Sequence, residues 1–477
     1  MHRTHTCGEL NHKNVGEEVI LCGWAASRRD HGKITFIDLR DRYGITQVVF
    51  FPKPNAQAYD LVKKIRNEDV LKVKGVVNAR PKGTQNPNIS TGLVELGCHE
   101  LEIMGACQDL PFSIDDSVEA GEEVRLYHRY LDLRRQRVSK NIILRHKFNQ
   151  AFRGFLNKQN FIEVETPFLT KSTPEGARDY LVPSRLNPNK FYALPQSPQL
   201  FKQILMVGAI DRYYQIVRCF RDEDLRKDRQ PEFTQLDIEM SFVEEDDILS
   251  LAENMICAVF EEVLGEAPKI PFKRITYLEA MEKYKTDKPD LGESAVIGGK
   301  EYRFLWVVDF PLFEYNEDEE KLQACHHPFT SPKEEDMVYF PSSDAEEELS
   351  KGRVKDLTKV RARAYDLVIN GEEIGSGSIR IHSSRLQSKI FKVLGISGKE
   401  AQEKFGFLLR SFQYGAPAHG GIAFGLDRLY AIICSVESIR DVIAFPKTQK
   451  GLCPLTGAPA NVSDKQLKEL YIELVAE

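Results

Sequence analysis

The sequence predicts an α+β chain. A small N-terminal β-barrel precedes a larger domain built on an antiparallel sheet flanked by helices. Three observations carry this expectation. Five short alternating segments fall within residues 1–105. Residues 213–242 read as two β-type runs joined by a charged loop. Asn370-Gly371 stands between two further β-type runs, the strongest short hairpin signal a sequence offers.

In the first domain, alternation predicts strands at Glu18–Ser27, Lys33–Leu39, Thr46–Phe50, Val70–Val77 and Leu93–Met104. A helical stretch, Asn55–Arg66, lies between the third and fourth. Five strands with a helix in that slot match the OB-fold, a barrel used for single-stranded nucleic acid. Its surface offers Arg28, Arg29 and Lys33 for charge, Phe36 for stacking and Gln47 for a base edge. Residues 106–135 are polar and charged and form a connector to a third segment, 136–477.

Beyond the connector, Ile143, Leu144, Phe148, Phe152, Phe155 and Leu156 recur at helical spacing. They lead into a strand over Phe161–Thr166, ended by Pro167. Asp247–Gly265 is a second helix. Its apolar stripe is core, and its closing glycine sits where a C-cap belongs.

The most informative stretch is FRDEDLRKDRQPEFTQLDIEMSF, residues 220–242. Strand side chains repeat every two residues, so Gln235, Asp237 and Glu239 share one face and Leu236, Ile238 and Met240 the other. Such a polar face suits a charged, phosphorylated ligand better than a core.

Around Asn370-Gly371, a two-residue loop pairs 369 with 372 and 366 with 375. Asp366 and Glu373 then share a face as diagonal neighbours, roughly 7 Å apart or less. Two carboxylates that close repel unless a cation lies between them, and such oxygens suit Mg²⁺. Strict alternation puts Arg380 on the opposite face. A single β-bulge at the nearby glycines would return it. In GGIAFGLDRL, residues 420–429, a glycine-rich strand runs into a helix and places Arg428 in its first turn, a position that favours anions. Gln196–Lys202 reads as a turn and helix start carrying Gln199 and Lys202. Ser172–Arg178 is a loop, and His326-His327 are adjacent, which does not suit one zinc ion.

The whole chain, 477 residues with 42% hydrophobic content, contains no apolar run of about 18 residues, so no membrane span is expected. The N-terminus has no apolar signal core. Nine scattered cysteines without a CxxC pair argue for reduced thiols in a cytoplasmic setting. Net charge is −6, so nucleic acid must be met by local basic patches.

Taken together, these motifs resemble the class II aminoacyl-tRNA synthetases of subclass IIb, and closely the bacterial-type aspartyl members. The helix and strand ending at Pro167 resemble the dimer-forming first motif. FRDEDLRKDRQPEFTQLDIE resembles the second, and GIAFGLDRL the third. QSPQLFKQ, HHPFT and EIGSGSIRIH are similar to the aspartate members rather than the asparagine or lysine ones.

The resemblance implies ATP and L-aspartate as substrates, Mg²⁺ as the ion, tRNA(Asp) and possible tRNA(Asn) as partners, and a homodimer. It implies that Arg221, Asp222, Glu223 and Gln230 meet ATP, Arg221 at the α-phosphate. Gly425, Leu426, Asp427 and Arg428 would meet the far phosphates. Asp366 and Glu373 would hold Mg²⁺, and Lys202 and Arg380 the aspartate side chain. Glu175, Gln199, Gln235, Asp237 and one of His326 or His327 would surround the amino end. Arg29, Phe36, Gln47 and Glu95 would read the anticodon. His31 stands at an anticodon-adjacent position where His is typical of members that also charge tRNA(Asn), whose product passes to an amidotransferase. One departure is expected. Bacterial relatives carry an inserted domain of roughly a hundred residues, whereas here residues 292–303 bridge the place directly.

Overall fold

The structure is a computed structural model and describes residues 2–53, 56–173, 176–317, 320–340 and 357–475. The chain folds as two compact units. The first is Met1–Arg125 with Tyr130–Ser139, and the second is Leu126–Arg129 with Lys140–Glu477.

In the first unit, β1 (Glu18–His31), β2 (Ile34–Asp41), β3 (Gly44–Phe50), β4 (Val70–Ala79) and β5 (Val94–Gly105) close into a barrel in the order β1-β2-β3-β5-β4. Alternation decides the interior: Val19, Leu21, Ile37, Leu39, Val48, Leu71, Val73 and Leu96 are buried together. The helix α1 (Ala56–Val62) sits between β3 and β4 and is shorter than expected. Its last turn tightens, with Lys64 and Ile65 donating to the Leu61 and Val62 carbonyls, and Asn55 lies outside the described residues.

Helix α2 (Gln136–Lys158) passes from the first unit into the second at Lys140 and is followed by β6 (Ile162–Glu163) and a small hairpin of β7 (Leu181–Pro183) and β8 (Phe191–Ala193). Then follow α3 (Gln199–Val207), β9 (Arg212–Phe220), β10 (Glu232–Ser241), α4 (Glu245–Leu264), β11 (Lys273–Thr276), β12 (Ser294–Ile297) and β13 (Lys300–Val308). The hairpin β14 (Phe313–Asn316) and β15 (Lys321–Ala324) precedes β16 (Ala364–Ile369) and β17 (Glu372–Ile379). The last elements used below are α5 (Ser384–Val393), α6 (Gly398–Ser411), β18 (His419–Gly425) and α7 (Leu426–Cys434).

The main sheet runs β11-β13-β16-β17-β18-β10-β9-β6, with β12 paired to β13. It is not wholly antiparallel, in contrast to the expectation from sequence. β6 runs parallel to β9, and β11 to β13. In both cases the intervening chain is long enough for a crossover rather than a hairpin. The strand before Pro167 is brief, although Val164 adds a bond to the Tyr214 carbonyl at 3.2 Å.

Helix α4 begins before Asp247, because Asp247 serves as the third helical residue of a capping box and accepts from the Glu244 N–H at 2.9 Å. Gly265 closes it at φ 85°, the left-handed cap expected of it. Phe148, Phe152, Met255, Ile256, Phe260 and Leu429 form one core with Leu236 and Ile238 of β10. Burying that face of β10 leaves its other face, with Gln235, Asp237 and Glu239, for the site.

Candidate active site

The polar face of the sheet lines a cavity of about 540 Å³. α3, the β9–β10 loop, β10, the His326-His327 segment, β16, β17 and the start of α7 all contribute to it.

At one end, buried charges pair with one another. Lys202 lies on the buried side of α3, and its Nζ donates to Asp237 Oδ1 at 2.9 Å and lies 3.4 Å from Glu239 Oε2. Arg380 Nε donates to Glu239 Oε1 at 2.9 Å, and Nη2 to Oε2 at 3.2 Å. Arg380 Nη1 meets Ser378 Oγ at 2.6 Å and His327 Nε2 at 2.7 Å. Burial raises the carboxyl pKa of Glu239, but Arg380 and Lys202 outweigh it and hold the group below the usual range. Asp237 goes the other way: burial, with Glu239 adding repulsion, raises it despite Lys202. Its Oδ2 is buried with no partner among the described residues, so a donor is called for there.

Glu239 fits because its cross-strand neighbour is Gly421. A Cβ there would lie 2.1 Å from Glu239 Oε2 and 2.1 Å from the Ile238 carbonyl. Arg380 reaches Glu239 because β17 carries the bulge that its glycines predict. Val368 pairs with Glu373 and Leu367 with Gly375, so Ile374 is the extra residue. Asp366 therefore pairs with Ser376 rather than with Gly375, the partner an unbulged hairpin would give it. Past the bulge, Ser376, Ser378 and Arg380 share the face of Glu373.

The Asn370-Gly371 turn is the expected two-residue loop, with φ 51° and 76°. It sets Asp366 and Glu373 on one cavity wall. Burial, then the neighbouring Asp366, raises the Glu373 pKa. Asp366 Oδ1 lies 3.3 Å from His326 Nε2. Burial pulls the His326 imidazole down, but Asp366 and Glu373 outweigh it and its pKa is raised.

The remaining wall is cationic. Arg221 stacks over the Phe233 ring at 5.1 Å, and its Nε is buried without a partner among the described residues. Arg428 Nη1 donates to the Glu373 carbonyl at 2.6 Å, while Nη2 lies 3.3 Å from Asp228. Glu223 pairs with Arg229 at 2.9 Å. Gln199 and Gln235 also line the cavity.

Of the other expected ATP positions, Gln230 and Asp427 line the cavity while bonded within the protein, and Asp222 and Leu426 do not line it. Asp222 is outside the cavity lining, and its carboxylate lies 3.8 Å from Arg178 instead. Gln230 uses both ends of its amide on the Lys447 backbone, at 3.0 and 2.8 Å. Asp427 is committed to Arg145 and to the Thr234 N–H, so its carboxylate anchors α7 to β10. Leu426 points into the core, because the first turn of α7 must bury its apolar side. Glu175 lies outside the described residues. Sequence reasoning had no role for Glu239, though its place on the polar face marked it. Ser378, Phe233 and Arg145 it missed.

In the barrel, strand register puts His31, Arg29, Phe36, Asp38 and Gln47 on a single face. Arg29 donates to both Asp38 oxygens, at 2.6 and 2.9 Å. Gln47 Nε2 donates to Glu95 Oε2 at 2.9 Å, which brings Glu95 into the same group. The half-buried Phe36 offers a ring beside fixed polar groups, an arrangement suited to an unstacked base.

Residues 121–449 match the model for class II tRNA synthetases (D, K and N), and residues 19–104 that for an OB-fold nucleic acid binding domain. The chain therefore belongs to the class II aminoacyl-tRNA synthetases. An aspartate–tRNA(Asp/Asn) ligase of Persephonella marina is 47% identical over 99% of this chain and 97% of its own length. One from Aquifex aeolicus is 45% identical over 99% and 98%. Within the class, the chain belongs to the aspartate–tRNA ligase family. Asparaginyl-tRNA synthetase from Pyrococcus horikoshii, complexed with asparaginyl-adenylate, superposes with a TM-score of 0.73. At 21% identity, covering 93% of this chain and 98% of that one, it shows the shared fold.

Proposed function

We propose that this chain joins L-aspartate to the 3′ end of both tRNA(Asp) and tRNA(Asn), through an aspartyl-adenylate made from ATP. One observation carries the amino-acid reading. Two buried cations, Lys202 and Arg380, meet at Glu239 of β10, whereas Arg221 and Arg428 follow Phe220 and Gly425, which pair with Glu232 and Gln235 further back along the same strand. That spacing suits a small dicarboxylate between its own side-chain anchor and a triphosphate.

In the first step an aspartate α-carboxylate oxygen attacks the α-phosphorus, a new O–P bond forms, and the bond to pyrophosphate breaks. The terminal tRNA hydroxyl then attacks the adenylate carbonyl, AMP leaves with the bonding pair, and the hydroxyl proton is released. No protein nucleophile is needed. Arg221 stabilises charge at the α-phosphate and Arg428 at the leaving pyrophosphate. Gln199, Gln235 and Asp237 take the amino end, with one of the histidines and Glu175. Glu223 and the backbone of Gly425 remain for the nucleotide.

Asp366 and Glu373 fit Mg²⁺: two carboxylates share one wall, and their repulsion is what a cation relieves. The ion would neutralise phosphate charge there. Asparagine would leave Lys202 and Arg380 facing a neutral amide, at a cost of about 2–5 kcal/mol.

Several features support the wider reading. The relatives are named for tRNA(Asp/Asn), and His31 lies exposed at the end of the anticodon face. Handover to an amidotransferase follows from charging tRNA(Asn). Exposed Phe168, Leu169, Leu181 and Phe191 follow the first motif and suit a two-fold dimer. Among the described residues no helix is long and apolar enough to cross a membrane, and the reaction belongs in the cytoplasm. The Persephonella alignment spans 596 positions against 477 residues here, so the relatives carry residues this chain lacks. We place that gap near 292–303, where β12 turns directly into β13.

Charging of both tRNA transcripts with aspartate tests the proposal. Aspartylation of each is expected. Acceptance by tRNA(Asp) alone would restrict the enzyme to one tRNA, and acceptance by neither would refute the reading.

A further inference from the structure

We propose that the link Asp287–Arg303 braces the hairpin carrying Asp366 and Glu373, and that Lys288 is a positioning residue for the divalent cation. This rests on the cation reading above and goes beyond it.

The link begins at the cavity, whose lining includes Asp287. Lys288 Nζ donates to Glu372 Oε2 at 2.8 Å. Glu372 directly precedes Glu373, and neighbouring strand residues face opposite sides. Lys288 thus holds the strand from behind at the point where Glu373 enters the cavity.

The tip of the hairpin is held as well. Asn370 Oδ1 accepts from the Arg303 N–H at 2.8 Å, and Asn370 Nδ2 donates to the Glu301 carbonyl at 3.1 Å. The Asn370 N–H donates to the Arg303 carbonyl at 3.1 Å. Arg303 in turn pairs with Asp290 at 2.7 Å. A Cβ on Gly371 would lie 3.4 Å from Asp290 Cβ, so the turn rests against the link. Gly292 lies flat on β13, where a Cβ would come within 2.4 Å of the Phe304 carbonyl oxygen. The link is therefore fixed at the hairpin and at β13, and it encloses the turn between them.

Exposed ion pairs such as Lys288–Glu372 contribute little to global stability. Their effect here is local. A hairpin tip without the brace would fray, and small displacements of ligating oxygens weaken a metal site. The link therefore acts on the cation requirement rather than on melting.

The test uses the full-length enzyme with Lys288→Glu, Glu372→Lys and the double exchange, and Lys288→Met should the reversal fail to fold. Mn²⁺ binding in the presence of ATP is followed by electron paramagnetic resonance, alongside the Mg²⁺ dependence of aspartate-dependent ATP–pyrophosphate exchange. Each single reversal is expected to weaken Mn²⁺ binding about fivefold at an unchanged melting temperature, with Lys288→Met weaker in the same direction. The double exchange should recover to within about twofold of wild type. Wild-type Mn²⁺ binding in the single variants, or no recovery in the double, overturns the proposal. Glu373→Gln separates the two readings. If it leaves Mn²⁺ binding intact, the cation assignment itself fails, and the brace proposal with it.

Discussion

Glu239 and Arg380 form a two-pronged ion pair sealed from solvent, with Nε 2.9 Å from Oε1 and Nη2 3.2 Å from Oε2. Lys202 lies 3.4 Å from the second oxygen, so one carboxylate orients both cations of the amino-acid pocket. The pocket is therefore assembled around its own counter-charge before any substrate carboxylate arrives. Removing one member leaves an uncompensated buried charge, a loss of about 3–5 kcal/mol.

Glu239→Gln should accordingly raise the KM for aspartate far more than the KM for ATP. Discrimination against asparagine should fall with it, because both cations lose their fixed positions. Steady-state exchange kinetics with each amino acid checks this. Unchanged aspartate KM with a wild-type asparagine ratio would count against the role given to Glu239.

Gly421 makes room for that carboxylate. In Gly421→Ala the new Cβ would meet both Glu239 Oε2 and the Ile238 carbonyl at 2.1 Å. The backbone contact cannot rotate away, so a loss of about 1–3 kcal/mol is expected. Chemical denaturation measures it, and a variant as stable as wild type would show that β10 and β18 lie further apart.

Burial, then Arg380 and His326, holds the His327 imidazole well below its ordinary 6.5. Folded His327 stays neutral where the unfolded chain takes up a proton. The unfolded state then binds more protons, so stability is fully present above 6.5 and falls as pH drops below it. His327→Gln should lessen the loss of stability between about pH 7.5 and about pH 5. Urea denaturation at both values gives the comparison, and parallel profiles for variant and wild type would contradict it.

Phe36 provides a ring on the barrel face, in the unit that does not carry the cavity. Phe36→Ala should weaken tRNA binding by about 1–3 kcal/mol. ATP–pyrophosphate exchange, which needs no tRNA, should not change. A filter-binding titration set beside an exchange assay separates the two effects.

Much of this was legible in the sequence because it rests on strict periodicities. The barrel strands alternate, so inside and outside followed directly. The two-residue Asn370-Gly371 loop fixed the hairpin, and the glycines of β17 foretold the bulge that returns Arg380 to the Glu373 face. What periodicity cannot supply is the partner of a polar group. Asp427 and Gln230 line the cavity, but nothing in the sequence showed that Arg145 and the Lys447 backbone would bond to them. Glu239 stood on the expected face without a role, because its two cations come from α3 and from the residue just past β17, 141 positions away. The parallel pairings of β6 and β11 depend on long crossovers that leave no local mark.

The central claim is that this cavity activates aspartate with ATP. Aspartate-dependent ATP–pyrophosphate exchange by wild type and by Arg221→Ala tests it most directly. Robust exchange by wild type and a loss of orders of magnitude in the variant are predicted, since Arg221 stands where charge develops at the α-phosphate. Near-normal exchange by Arg221→Ala, or none by wild type, would contradict the account.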